Sequence, residues 1–158
     1  MKLLARISSL FALLAAMVLY TGCGDDDPKK SETDVQLEKL NGTWVIANDG
    51  DVTQDGAAPP FSYNGMTLTL NATAGSTTFG YTTDGRPELS PWPANGTFTF
   101  GPTVTSDLIR QDPSDPIDVN YSVTTTGLIM TFDYAGTGFA GGRTSSVDGP
   151  WRFEFTKQ

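Results

Sequence analysis

Histidine is absent from this chain. Its absence removes the side chain that most often serves as a general base near neutral pH, and the commonest transition-metal ligand. Cysteine occurs once, at position 23. No disulfide can therefore form within the monomer, and no thiolate–imidazole or serine–histidine pair is available for nucleophilic catalysis. Basic residues are scarce: ten Lys and Arg stand against 18 Asp and Glu, a net charge of −8. Nucleic acid, whose phosphates are held by Lys and Arg, is excluded as a partner class. So is electrostatic adsorption to anionic lipid. The remaining lysines beyond position 22 sit near residues 29–39 or at Lys157, so no Ser–Lys pair stands out either. These absences point to a protein that is not an enzyme and that carries no cofactor.

What is present begins at the N-terminus. Lys2 and Arg6 precede an apolar run from Leu10 to Tyr20, then Thr21, Gly22 and the single Cys23. A basic start, a short apolar stretch and small residues at a cleavage point are the three parts of a secretory signal peptide. The run is shorter than the roughly 20 residues that span a bilayer. Leu19-Tyr20-Thr21-Gly22-Cys23 resembles the lipobox of bacterial lipoproteins, with Tyr20 where that family usually has Leu. The resemblance implies cleavage after Gly22 and acylation of Cys23, with palmitate-type chains. Each buried CH₂ contributes about 0.8 kcal/mol, and more than one chain holds a protein stably on a membrane. Asp25-Asp26-Asp27 is similar to the surface-export signal of Bacteroidetes-type lipoproteins. The expected location is therefore the bacterial cell envelope, on the outer membrane and surface-exposed. Loss of Lys2 and Arg6 with the leader leaves 8 basic and 18 acidic groups on the 136 residues from Cys23 onward.

Three segments follow from this reading: a signal peptide over 1–22, a lipidated Cys23 with a flexible acidic tether to residue 34, and a domain over 35–158. A short helix or turn is expected from Val35, capped by Thr33 or Asp34, with Leu37 and Leu40 on one face. Beyond Gly42 the pattern is β. Met66, Leu68 and Leu70 alternate with threonines, as do Phe98 and Phe100. Val119, Tyr121 and Val123, then Leu128, Met130 and Phe132, then Trp151, Phe153 and Phe155, repeat the same period of two. Trp44 with Ile46, Phe79 with Tyr81, and Val104 with Leu108 add weaker cases. The count is about eight half-buried strands. Short Gly-containing connections such as Ala72–Gly75 and Gly101-Pro102 make neighbours antiparallel. Eight such strands close into a barrel or fold into a sandwich, and closure removes exposed edges.

Leu40-Asn41-Gly42-Thr43-Trp44 at the first strand and Gly149-Pro150-Trp151-Arg152-Phe153 at the last resemble the lipocalin-like domains of bacterial surface lipoproteins. That resemblance implies an eight-stranded antiparallel meander barrel. It also implies that Gly42 and Trp44 form the first-strand motif, and that a basic residue of the last strand covers the Trp44 ring. Arg152 is the candidate for that residue.

The long loops carry the candidate ligand residues. Trp92 lies between Pro91 and Pro93 in a segment that also holds Arg86, and Phe139 and Arg143 lie between Ala135 and Pro150. A proline-stiffened aromatic at a barrel mouth offers a face to a sugar or an apolar ligand. The other placement for Trp92 is a plug folded back into the barrel end. The expectation taken forward is Trp44 in the core and Trp92 on the surface. Gly136–Gly141 spells GxGxxG but lacks the helix that a dinucleotide site needs. The acidic loops Asn48–Asp55 and Asp112–Asp118 lack EF-hand spacing and read as turns rather than a metal site. Asn41, Asn71 and Asn95, although in glycosylation-type triplets, likewise read as turn residues. Two functions remain: a membrane-anchored module that binds a small apolar or glycan ligand, or a structural subunit or inhibitor that docks a protein partner on its outer surface. A filled barrel favours the second.

Overall fold

Alternating sequences bury one face by pairing into sheets, and here the pairing runs all the way round. A computed structural model of the chain describes residues 29–111, 115–136, 138 and 147–158. The signal segment, Cys23, Phe139 and Arg143 lie outside the described residues. Among the described residues one α-helix, α1 (Glu32–Leu40), precedes nine strands: β1 (Gly42–Val45), β2 (Val52–Gln54), β3 (Thr67–Asn71), β4 (Thr78–Asp84), β5 (Asn95–Phe100), β6 (Asp107–Gln111), β7 (Ile117–Val123), β8 (Gly127–Tyr134) and β9 (Gly149–Lys157). The sheet order is β1-β3-β4-β5-β6-β7-β8-β9-β2, every pair is antiparallel, and β1 also pairs with β9. Eight strands thus close a meander barrel, and β2 is an extra strand laid on β9 beside β1. Ser31–Gln158 forms one compact unit.

The alternation decides which side chains fill the barrel. Trp44, Leu68, Leu70, Phe79, Tyr81, Phe98, Leu108, Val119, Tyr121, Leu128, Met130, Phe132, Trp151, Phe153 and Phe155 are all buried. Their neighbours in sequence, such as Thr69, Thr99, Asp118, Asn120 and Glu154, lie on the outer wall and are partly or fully exposed.

Several local expectations shift. The helix starts at Glu32, because Ser31 rather than Thr33 or Asp34 accepts the orphan amide of Asp34 at 3.0 Å. Residues 32–34 therefore belong to α1 and not to the tether. Val104 falls in a turn rather than a strand: the amide of Asp107 donates to the Thr103 carbonyl at 2.8 Å, and β6 starts only at Asp107. Strand β2 went unread because three residues between turns carry too little alternation to register.

The helix closes one end of the barrel. Leu37 and Leu40 are fully buried. The Tyr121 hydroxyl of β7 donates to Gln36 Oε1, the Gly75 amide of the β3–β4 turn donates to Asp34 Oδ1 at 2.6 Å, and Lys157 Nζ of β9 donates to the Lys39 carbonyl at 3.1 Å. Contacts to β7, to the β3–β4 turn and to β9 place α1 across that opening. The connections 46–66 and 85–94 meet at the opposite end, where the Tyr63 hydroxyl donates to the Leu89 carbonyl at 3.4 Å.

Candidate functional site

At that opposite end the segment Gly85–Ala94 folds inward. Prolines at 91 and 93 fix φ on both sides of Trp92, so the chain enters and leaves the barrel with little freedom to swing. Thr83 anchors the return: its amide donates to the Ala94 carbonyl at 2.8 Å and its hydroxyl to the Pro93 carbonyl at 2.7 Å. The Trp92 amide donates to Ser90 Oγ at 3.2 Å, and both residues are fully buried. The Trp92 ring meets Tyr81 of β4 at 5.7 Å, Phe98 of β5 at 6.3 Å, Phe132 of β8 at 5.4 Å and Phe153 of β9 at 5.7 Å, all near edge-to-face. A side chain that touches strands on opposite walls lies on the barrel axis. Trp92 is therefore core and not surface. The expectation of an exposed recognition ring is corrected, because burying this large indole against four aromatic rings outweighs leaving it in a solvated loop.

Sequence reasoning missed Arg110. Its guanidinium is fully buried and lies 4.8 Å from the Trp92 ring and 4.9 Å from Phe132. Aromatic faces stabilise a desolvated guanidinium by about 2 kcal/mol or more, which suits the planar cation of Arg better than an ammonium. The signal was available: Arg110 follows Leu108 by two residues on β6 and so shares its inward phase. Arg86, by contrast, is only half-buried in the same loop as Trp92. Trp92, Arg86, Phe139 and Arg143 are thus not shown to converge on one mouth. One of them is core, one is half-buried, and two lie outside the described residues.

The first-strand motif is built differently from the expectation too. Trp44 is fully buried, and its indole N–H donates to the Leu40 carbonyl at 2.8 Å. A basic residue of β9 does cover its ring, but it is Lys157, with Nζ 4.9 Å from the ring centroid. Arg152 points outward and pairs with Glu154, each side chain about two-fifths exposed. The physical reason is phase: Trp151, Phe153 and Phe155 take the inward positions, which sends Arg152 out and brings Lys157 round at the strand end. Gly42, at φ +126°, leaves room for the Lys157 stem: a Cβ there would lie 3.2 Å from Lys157 Cε.

The acidic residues of the loop Asn48–Asp55 act locally. Asp49 Oδ1 accepts the Ser62 hydroxyl at 2.5 Å and the Asn64 amide at 3.2 Å, and Asp51 Oδ2 accepts the Asn48 amide at 2.9 Å. Burial pushes the Tyr63 phenol up to about 12, since the charged form would be desolvated between Trp151 and Phe153. Burial also raises the Tyr121 phenol, with Asp107 and Glu32 adding to it. The Ser106 hydroxyl, helped by Thr103, lowers the carboxyl of the half-buried Asp107.

Open grooves border the strands and the rim of the barrel. One is a groove of about 610 Å³ beside β7 and β8, lined by Ile117, Asp118, Asn120, Asp133, Pro150 and Trp151 among others. A second, of about 420 Å³, adjoins it on the other side of β7 and shares Asp118 and Asn120. In comparison with known proteins, the chain matches no family model and no curated protein.

Proposed function

We propose that this chain is a non-enzymatic module held on a bacterial outer membrane by lipid on Cys23, and that it docks a protein partner on the outer wall of its barrel. The observation that carries the docking half is the filled interior. Trp92 occupies the axis at one end and α1 lies across the other, with Phe98, Met130, Phe132 and Phe153 buried between them. A ligand carrier of this architecture needs lined space of a few hundred Å³ at its mouth, and here the fully buried Trp92 ring holds that position against Phe132 and Phe153. The anchoring half is supported by the leader ending in Gly22-Cys23 and by the acidic run after it. Among the described residues no helix is long and apolar enough to cross a membrane. The eight-stranded barrel and the cation-covered Trp44 support the resemblance to lipocalin-like lipoprotein domains. Native mass spectrometry of the protein extracted from its own envelope tests the reading. The expected spectrum carries the mass of a second polypeptide on a lipidated chain. A stoichiometric small molecule that survives extraction, with no protein partner, would sink it.

A further inference from the structure

The outer wall of the barrel carries its charge on one side. Outward positions of β6 to β9 include Asp107, Asp118, Asp133, Arg152 and Glu154. Outward positions of β1, β3, β4 and β5 include a single charge, Asp84, at the last residue of β4. The others are threonines, asparagines, Val45 and Gly80, and the ladders set them in rows. Thr43, Thr69, Thr82 and Asn95 stand opposite one another across four strands, and Asn71, Gly80 and Thr97 across three. All are exposed or half-buried. A chain of net charge −8 thus keeps one neutral wall, and depletion of charge is the mark of an interface centre. Gly80 stands in the middle of it. Its strand pairs without interruption on both sides, its φ is not left-handed, and a Cβ there would meet nothing nearer than the Gly96 carbonyl oxygen at 3.9 Å. Neither a bulge, nor backbone conformation, nor crowding calls for glycine, and a β-branched residue would hold the strand better. A strand glycine of this kind marks a place where another backbone comes close.

We propose that the neutral wall is where a second copy of this chain docks, with Gly80 close to the two-fold axis. The inference rests on the docking reading above and names the partner. A two-fold contact uses the same surface on both copies, so that surface must complement itself. Hydroxyls and amides both donate and accept, and Thr43 and Thr69 already share a hydrogen bond at 3.2 Å within one wall. Walls of aspartate and glutamate cannot do this, because two acidic copies repel wherever such faces meet. The side built from β1, β3, β4 and β5 is the approach that brings the fewest like charges together. There the absent side chain at Gly80 lets two convex walls touch at their crest. Four strands at about 4.8 Å spacing make a face roughly 15–20 Å wide. A contact of that size is at the low end of interfaces and gives a weak dimer in free solution. Anchors in one membrane raise the effective concentration and offset that weakness.

The test uses the full chain, in detergent and on membranes. Sedimentation equilibrium should give a dimer with a dissociation constant of about 10–100 µM. Gly80→Val should weaken it about tenfold or more. Its urea midpoint should equal or exceed the parent's, because a β-branched residue replaces glycine without crowding. Thr69→Glu and Thr97→Glu, which set like charges face to face, should each abolish the dimer. Thr131→Glu, on the other wall, should leave it unchanged. On membranes a Thr97→Cys chain treated with a short bis-maleimide should cross-link to itself above the level of the parent, and a Thr131→Cys chain should not. A parent chain that stays monomeric to about 500 µM and does not cross-link on membranes would overturn the inference. So would cross-links from Thr131→Cys, or a Gly80→Val chain that dimerises as well as the parent. A Gly80→Val chain with a lower urea midpoint would overturn it too, by making Gly80 a bend of the wall. A different polypeptide on the neutral wall would name another occupant and end the proposal. One bound to the β6–β9 wall of a monomeric chain ends this inference but leaves the docking reading standing. A small molecule in place of any protein ends that reading itself.

Discussion

Single residues separate two kinds of aromatic environment that composition alone merges. Trp44 and Trp92 are both fully buried, so each replacement by Ala should cost about 3–5 kcal/mol of unfolding free energy, measured by urea titration. A Trp92 variant within about 1 kcal/mol of the parent would place that ring outside the packed interior. The two basic residues of β9 should diverge. Lys157→Met removes the cation over Trp44 and the donor to the Lys39 carbonyl, and is expected to cost about 0.5–2 kcal/mol. Arg152→Ala breaks only a half-exposed ion pair and should cost no more than about 1 kcal/mol. Gly96 is a packing glycine: a Cβ there would sit 2.6 Å from the Tyr81 hydroxyl oxygen. Gly96→Ala should therefore destabilise by about 1–3 kcal/mol through displacement of that ring.

Elements owe their limits to a few side chains. Helix α1 is nine residues long, too short to persist alone, and it stands because Leu37 and Leu40 are buried and Ser31 caps it. Ser31→Ala should cost about 1 kcal/mol, read as a lower urea midpoint. The strands were legible because Thr-rich outer positions alternate strictly with aromatic and aliphatic inner ones. Their ends were not, because a ladder stops for reasons that lie on the neighbouring strand. β6 starts late because Asp107 and Thr103 form a turn. That cause involves residues that alternation does not weigh.

For the whole molecule, charge sets the pH response. Without histidine, no side chain has an ordinary pKa between pH 5 and 8, so a flat stability plateau is expected there. At the alkaline side Tyr63 keeps its proton in the fold to about pH 12, while the unfolded chain gives it up near the ordinary 10. The folded state then binds more protons than the unfolded one, and stability falls as pH rises between those values. Tyr121 acts in the same direction. Urea midpoints taken from pH 8 to 12 should decline, and Tyr63→Phe should flatten the decline. At the membrane, Cys23→Ala should release the protein into the soluble fraction; a variant that stays membrane-bound with unchanged mobility would remove the lipid anchor from the proposal.

Local chemistry was enough to determine the β class, the meander order and the inward set of side chains. Period-two alternation and short turns act between near neighbours, and each strand carries its own copy of the pattern. The same holds for Trp44 in the core. Closure of β9 on β1, the filling of the axis by Trp92 and Arg110, and the choice of Lys157 over Arg152 to cover Trp44 were decided only by the tertiary structure. Each of these depends on which residues from distant parts of the chain arrive at one point, and on how much apolar surface they bury there together. Pro91-Trp92-Pro93 suits an exposed loop and a plug equally well as a local sequence. The four aromatic rings that wait for it, on strands 78–84, 95–100, 127–134 and 149–157, exist as a set only once the barrel has closed.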